Sequence, residues 1–197
     1  AFRGPLTINL KGDFSGLRQL APEERLLISP DRITASKGGI RISLAEAIPW
    51  QADAPTHQHS PLKDRQQHLR ALAQKAYTQK KDAGLSGLIP LLLEGNSAHP
   101  EAEKLSQLRS QFQKGNTSAF TQNLSTLLGL GSGLTPSWDD FTLGLLLTLN
   151  RWEQILHPTL DLEKLNATLI ESAYAKTTTI SANLIECATL GQADERL

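Results

Sequence analysis

Residues 128–141 constrain the fold more than any other stretch of this chain. They read Leu-Gly-Leu-Gly-Ser-Gly-Leu-Thr-Pro-Ser-Trp-Asp-Asp-Phe. Gly129, Gly131 and Gly133 alternate, which opens the φ > 0 conformations and lets backbone N–H groups approach a ligand with no Cβ in the way. Thr135 is then expected as a helix N-cap, with Pro136 at the first helical position, where its missing N–H costs nothing. A helix that begins after such a loop presents unpaired donors and the positive end of its dipole, which together suit an anion. Asp139 and Asp140 stabilise that helix end when it is empty. With an anion bound, a cation, a proton or a substrate N–H must stand between them and it.

The same residues also fit a tight turn followed by ordinary dipole complementation. The spacing is not a P-loop, since no Gly-Lys-Ser/Thr follows, and no obvious strand precedes it as in a dinucleotide fingerprint. Density favours a site. Three Gly, three hydroxyl residues, a Pro and two Asp fall within residues 129–140, inside otherwise ordinary helical sequence. Local rules broken together tend to mark function.

Around this stretch the chain reads as α+β, with an N-terminal β-rich region of antiparallel hairpins followed by a mainly α-helical region. Three segments are expected: 1–52 β-rich, 53–61 a linker, and 62–197 helical and carrying the motifs. In the first, residues 5–10 alternate weakly and 12–17 form a loop. Residues 25–29 form an apolar run that ends at Pro30-Asp31. Residues 32–36 and 39–44 alternate with period two around Lys37-Gly38-Gly39, which predicts a hairpin. The linker holds His57 and His59. Alternate histidines can share a strand face, but here they read as solvated loop residues.

From Leu62 the period becomes helical. Leu62, Leu69, Leu72, Ala73, Ala76 and Tyr77 form a face that runs to about Lys81. Residues 83–87 break it, and Pro90 interrupts a short apolar run at 88–93. A helix over 101–113 stops at Gly115-Asn116, and Thr117 or Ser118 is expected to cap the next. That helix, with Phe120, Leu124, Leu127 and Leu128 on its face, delivers the chain into the glycine stretch. Beyond it, Phe141, Leu145, Leu149, Trp152 and Leu156 predict one long helix, and 161–175 another.

A second unusual stretch follows, Lys176-Thr177-Thr178-Thr179-Ile180-Ser181-Ala182-Asn183. Hydroxyls beside an ammonium suit a phosphate or carboxylate, and equally suit a polar junction between two helices. Asn183 and Glu186 lie near one face of the last helix. Cys187 falls on an apolar position and reads as a small core residue.

Composition narrows the functions. The 197 residues can bury a sizeable core, and 20 basic against 20 acidic residues leave no electrostatic footprint for nucleic acid or an anionic membrane. A single cysteine excludes an internal disulfide framework and fits a reducing compartment. No segment reaches the ~18 apolar residues of a spanning helix, and no signal-like start is present. Methionine is absent even at position 1, so the chain is expected to be a processed or partial product of its gene.

The segments 129–140 and 178–184, with Gly191, resemble the AllH-like family. Its best-known member is a subunit of the oxamate carbamoyltransferase of anaerobic allantoin breakdown. The likeness is strongest over about 125–195, and the β-rich start and the Phe2-Arg3-Gly4-Pro5 opening share it. Trp138 departs from the pattern, which has a small residue there, and leaves the exact substrate open. The resemblance implies a cytoplasmic protein acting with two other subunits, and reversible carbamoyl transfer between carbamoyl phosphate and oxamate, with oxalurate as the other partner. No catalytic assignment comes with it.

From the chemistry of the residues, the binding candidates are Gly131, Ser132, Gly133, Thr135, Ser137, Lys176, Thr177, Thr178, Thr179, Ser181 and Asn183. Asp139 and Asp140 are the catalytic candidates, placed to orient an amide N–H or accept its proton. No cofactor and no resident metal are expected, and neither nucleic acid nor membrane is an expected partner. Two alternatives remain open: a non-catalytic assembly subunit, and an enzyme that uses Mg²⁺ at Asp139 and Asp140 with a phosphate or nucleotide.

Overall fold

A computed structural model of the chain describes residues 4, 7, 9, 15–37, 39–50, 60–79, 84–156 and 158–194. Most of the strand expected at 5–10 (all but residues 7 and 9), the Phe2-Arg3-Pro5 opening, most of the 53–61 linker and the His57/His59 pair lie outside the described residues. The chain divides into two compact units. One comprises Ala1–Ala52 with Asp194–Arg196, the other Asp53–Ala193 with Leu197. The architecture is α+β, with an antiparallel sheet toward the N-terminus and helices in the rest.

The sheet is a three-stranded antiparallel meander of β1 (Leu26–Ser29), β2 (Arg32–Ala35) and β3 (Arg41–Ser43), in that order. Pro30-Asp31 closes the first hairpin as a two-residue loop, with Ser29 opposite Arg32. Asp31 accepts from Ser29 Oγ at 2.8 Å and from Arg32 Nε at 2.8 Å. The Arg32 guanidinium and the Ser29 hydroxyl lower the exposed Asp31 carboxyl to a pKa of about 2. The second hairpin forms where the period-two pattern predicts it, with Ile33 facing Ile42 and an Ala35 N–H bond to the Ile40 carbonyl at 3.0 Å. Residues 15–19, expected within a loop and its exit, wind into a 3₁₀ turn.

The second unit is helical among its described residues: α1 (Leu62–Gln79), α2 (Ile89–Glu94), α3 (Ala102–Gln113), α4 (Thr117–Leu127), α5 (Ser137–Arg151), α6 (Glu153–Leu156), α7 (Leu162–Lys176) and α8 (Thr179–Thr189). A 3₁₀ turn at Gly84–Leu88 leads into α2, whose first turn accommodates Pro90. The core is aliphatic. Leu124, Leu146, Leu165, Leu169 and Ile185 are fully buried, each worth about 1.5–3 kcal/mol in removed apolar surface. α5 packs on α8, α7 on α8, and α4 on α7.

Three expectations need correction, and one expected helix forms with its apolar face largely exposed. α4 is capped by Asn116, whose side chain accepts the Ala119 N–H at 3.1 Å, and not by Thr117 or Ser118. The asparagine amide oxygen reaches the N3 donor, and the chain turns helical immediately after it. The long stripe from Phe141 to Leu156 is two helices. Trp152 leaves the helical region at φ −114°, and Arg151 beside it donates to the Gly191 carbonyl at 3.1 Å. The helix expected at 62–81 forms, but its apolar face is not covered: α1 has no buried residue, and Leu69 and Leu72 are exposed. Finally, α5 starts one residue later than expected, as described below.

Candidate functional site

α4 ends at Leu127, and Leu128 turns extended with φ −58° and ψ 135°. The chain then runs through the glycine turn, where Gly129, Gly131 and Gly133 have φ of 79°, 128° and 92°. Two of the three have no room for a side chain. A Cβ on Gly129 would lie 2.5 Å from the Lys176 carbonyl oxygen, and one on Gly131 would collide with the Ser137 nitrogen. Gly133 faces open space. Its need for glycine comes from its backbone conformation alone.

The N-cap of α5 is Pro136, at φ −53° and ψ 146°, and Ser137 is the first helical residue. Thr135 was the expected cap. Its hydroxyl instead donates to the Asp140 carboxylate. The Pro136 carbonyl serves as the first acceptor of the helix, taking the Asp139 and Asp140 N–H groups at 2.8 and 3.1 Å. The Trp138 N–H reaches back to the Leu130 carbonyl at 3.2 Å and folds the turn onto the helix head. Trp138 itself is buried, edge-on to Phe141 with ring centroids 5.3 Å apart. The indole belongs to the core beneath the turn.

Asp139 joins the two unusual stretches of the sequence. Its carboxylate is buried, with Oδ1 accepting the Gly129 N–H at 2.7 Å and Oδ2 accepting the Thr177 hydroxyl. Thr178 caps α8 by accepting the Ser181 N–H at 3.1 Å, and its hydroxyl donates to the Leu134 carbonyl at 2.6 Å. The turn and the threonine junction are therefore fastened to each other at two points, Asp139 to Thr177 and Leu134 to Thr178, while the same Asp139 carboxylate holds Gly129 within the turn.

The donors of the turn remain. Among the described residues, none accepts a hydrogen bond from the N–H groups of Gly131, Ser132, Gly133, Leu134 or Thr135. Gly131 to Leu134 are exposed, and the Leu134 side chain is 69% exposed rather than folded over the turn. Successive N–H groups around positive-φ residues form a concavity suited to anions. Asp140, exposed beside them, carries a raised pKa. Desolvation of its carboxyl is the largest cause, the Thr135 hydrogen bond opposes it, and the neighbouring Asp139 charge adds to the rise.

Residues 127–197 match the model of a family described as oxamate carbamoyltransferase subunit AllH. Comparison with curated proteins and with solved structures returned no match. The AllH-matched segment begins at the last residue of α4 and takes in the turn, α5 to α8 and the junction, so it contains every candidate residue named from the sequence.

Within that segment the candidates separate by what they touch. Asp139, Thr177 and Thr178 brace the turn. The Lys176 side chain points elsewhere, its Nζ donating to the Ser125 carbonyl of α4 at 3.0 Å. Only its main-chain carbonyl lies against Gly129. Asn183 is engaged along α8 and with α7, donating to the Thr179 carbonyl at 2.8 Å and lying 2.8 Å from the Tyr174 hydroxyl. Thr179 is exposed at the start of α8. The Ser181 hydroxyl is 1% exposed and has no hydrogen-bond partner. Cys187 is half-buried, and burial with the Glu186 charge pushes its thiol up, away from the thiolate.

Sequence reasoning missed Gly84. At φ 51°, its Cβ position lies 2.9 Å from the Ser137 hydroxyl, so the 3₁₀ turn before α2 sits against the head of α5. The only signal was the glycine pair at 84 and 87, which reads as a helix break. Among the described residues, no helix is long and apolar enough to cross a membrane, and no group of three or more His, Cys, Asp or Glu is placed to hold a metal.

Proposed function

We propose that this chain is a subunit of a carbamoyltransferase-type enzyme that seats a small anion on the glycine turn at the head of α5. The supporting observation is the run of N–H groups from Gly131 to Thr135, unpaired among the described residues and held open by the buried Asp139. The match of residues 127–197 to a family described as oxamate carbamoyltransferase subunit AllH supports this reading, in which the reaction is carbamoyl transfer between carbamoyl phosphate and oxamate, with oxalurate as the carbamoylated partner.

In this reading the N–H groups of residues 131–135 and the Ser132 hydroxyl hold anionic oxygens, with the dipole of α5 behind them. The oxamate amide nitrogen attacks the carbamoyl carbon, the bond from that carbon to the phosphate oxygen breaks, and phosphate leaves. Asp140 orients the amide N–H and takes its proton. The braces Asp139, Thr177 and Thr178 are positioning residues, and Ser137 fixes the start of the helix. Other protein subunits complete the enzyme.

Isothermal titration of the full chain with carbamoyl phosphate tests the seat. Binding without Mg²⁺ is the expected result. No binding would favour a purely structural subunit, and binding of nucleotide only with Mg²⁺ would favour a phosphate-using enzyme of another class. In the assembled enzyme, Asp140→Asn is expected to keep the fold and reduce turnover by about 10²–10⁴-fold. Full activity would reject the assignment.

A further inference from the structure

α4 and α7 run side by side in the same sense. Their N-termini are joined by the Asp161 N–H donating to Thr117 Oγ1 at 3.0 Å. Between them lies a groove of about 430 Å³, lined by Ser118, Thr121, Gln122, Ser125, Thr126, Lys164, Thr168 and Lys176. That is the volume of a small-molecule site. The lining holds two ammonium groups and no carboxylate, in a chain whose net charge is zero.

The two lysines mark the ends. Lys164 Nζ lies 3.2 Å from Ser118 Oγ, and Lys176 Nζ lies 3.0 Å from the Ser125 carbonyl. Neither forms an ion pair among the described residues. Ser118 and Ser125 are two turns apart on α4, so the points at which the two ammonium groups are anchored stand about 10 Å apart along its axis. An ammonium–oxygen contact takes up about 2.8 Å at each end, which leaves about 5 Å between the facing oxygens. Two phosphoryl groups in series, or a four-carbon dicarboxylate, span that distance.

A second, independent observation falls in the same groove. Ser125 is only 7% exposed and its hydroxyl has no hydrogen-bond partner. A buried hydroxyl left unpaired costs about 1–3 kcal/mol, and Ser125 is one of the residues that line the groove. We propose that the α4–α7 groove is a second anion site, separate from the glycine turn, that takes a compact dianion with an anionic group at each end. Lys164 and Lys176 bind the ends and Ser125 Oγ donates between them. The proposal stands whether or not the glycine turn binds substrate.

Titration of the full chain with inorganic diphosphate, and separately with succinate, tests it. Saturable binding that weakens with added salt is expected, and Lys164→Gln is expected to weaken it at least tenfold. No saturable binding of either probe would overturn the proposal. So would binding that Lys164→Gln leaves unchanged, since the ion would then sit elsewhere, as on the glycine turn. If Lys164→Gln loses its circular dichroism signal, Ser125→Ala and Lys164→Arg carry the test. The first is expected to weaken binding severalfold and the second to retain it. Failure of either expectation overturns the assignment.

Discussion

The glycine turn and the threonine junction touch, yet they treat their polar groups in opposite ways. The junction commits most of its polar groups within the protein, the Ser181 hydroxyl excepted: Thr177 to Asp139, Thr178 to Leu134 and the Ser181 N–H, Lys176 Nζ to Ser125, Asn183 to Thr179 and Tyr174. The turn leaves five consecutive N–H donors unpaired among the described residues and exposes four of the five residues that carry them, Thr135 being half-buried. Both stretches read as anion-binding in the sequence because both are rich in small and hydroxylic residues. The geometry assigns them different work. In the proposed reading the turn is the face that meets a ligand, and the junction is the brace behind it.

That division can be broken at the brace first. In Gly131→Ala a Cβ would be driven into the Ser137 nitrogen at φ 128°, with no flexible side chain able to give way. A loss of about 3 kcal/mol or more is expected, read as a fall in the denaturant midpoint. Asp139→Asn keeps the shape but faces two donors with an amide that is acceptor on one side only. About 2 kcal/mol should be lost, and the Gly129 amide should exchange faster with solvent. Thr178→Val removes one N-cap and one bond to the turn, and about 1–2 kcal/mol is expected from chemical denaturation. Gly133→Ala meets open space and carries only the strain of its left-handed backbone, about 1 kcal/mol, less than Gly131→Ala.

The smallest effect sharpens the comparison at the ligand face. The raised pKa of Asp140 means that it protonates above the ordinary carboxylate range. Below that pKa the carboxyl is neutral and does not repel a bound anion. Above it the carboxylate does. Phosphate affinity at the turn, corrected for the titration of phosphate itself, should therefore fall severalfold as pH rises through the Asp140 transition. Asp140→Asn should flatten that dependence and bind phosphate at least as tightly, even while turnover is lost. Stability moves in the same sense. A carboxyl whose folded pKa lies above its unfolded value contributes stability that is lost as pH rises through the folded pKa.

Much of this was legible in the chain before any geometry. The 3.6-residue pattern marks α3, α4, α7 and α8 to within a few residues, because buried leucines at three- and four-residue spacing leave little freedom in where a helix lies. The hairpin of β2 and β3 follows from strict alternation. What the pattern could not give was which of several capable residues does a given task. Thr135, Pro136, Thr117 and Asn116 are all acceptable near a helix start, and the choice is decided by where each side chain can reach. The roles of Asp139 and Asp140 are likewise invisible at the level of residue type. They are adjacent and identical in chemistry, but successive helix positions point about 100° apart, so one is buried in the brace and the other is exposed beside the turn. Lys176 borders the threonines in sequence, yet its side chain turns away from the glycine turn and toward α4, which sequence adjacency does not reveal. The exposed leucines of α1 show the limit in the other direction: an apolar face predicts a helix but not what covers it.

Amide chemical shifts give the most direct test that the glycine turn is the ligand face. The full chain, labelled with ¹⁵N, would be titrated with inorganic phosphate and with oxamate. The account predicts saturable shifts that are largest at Gly131, Ser132, Gly133, Leu134 and Thr135, with smaller ones at Thr177 and Thr178. Saturation with those five amides unmoved, or no saturable shift at all, would contradict it.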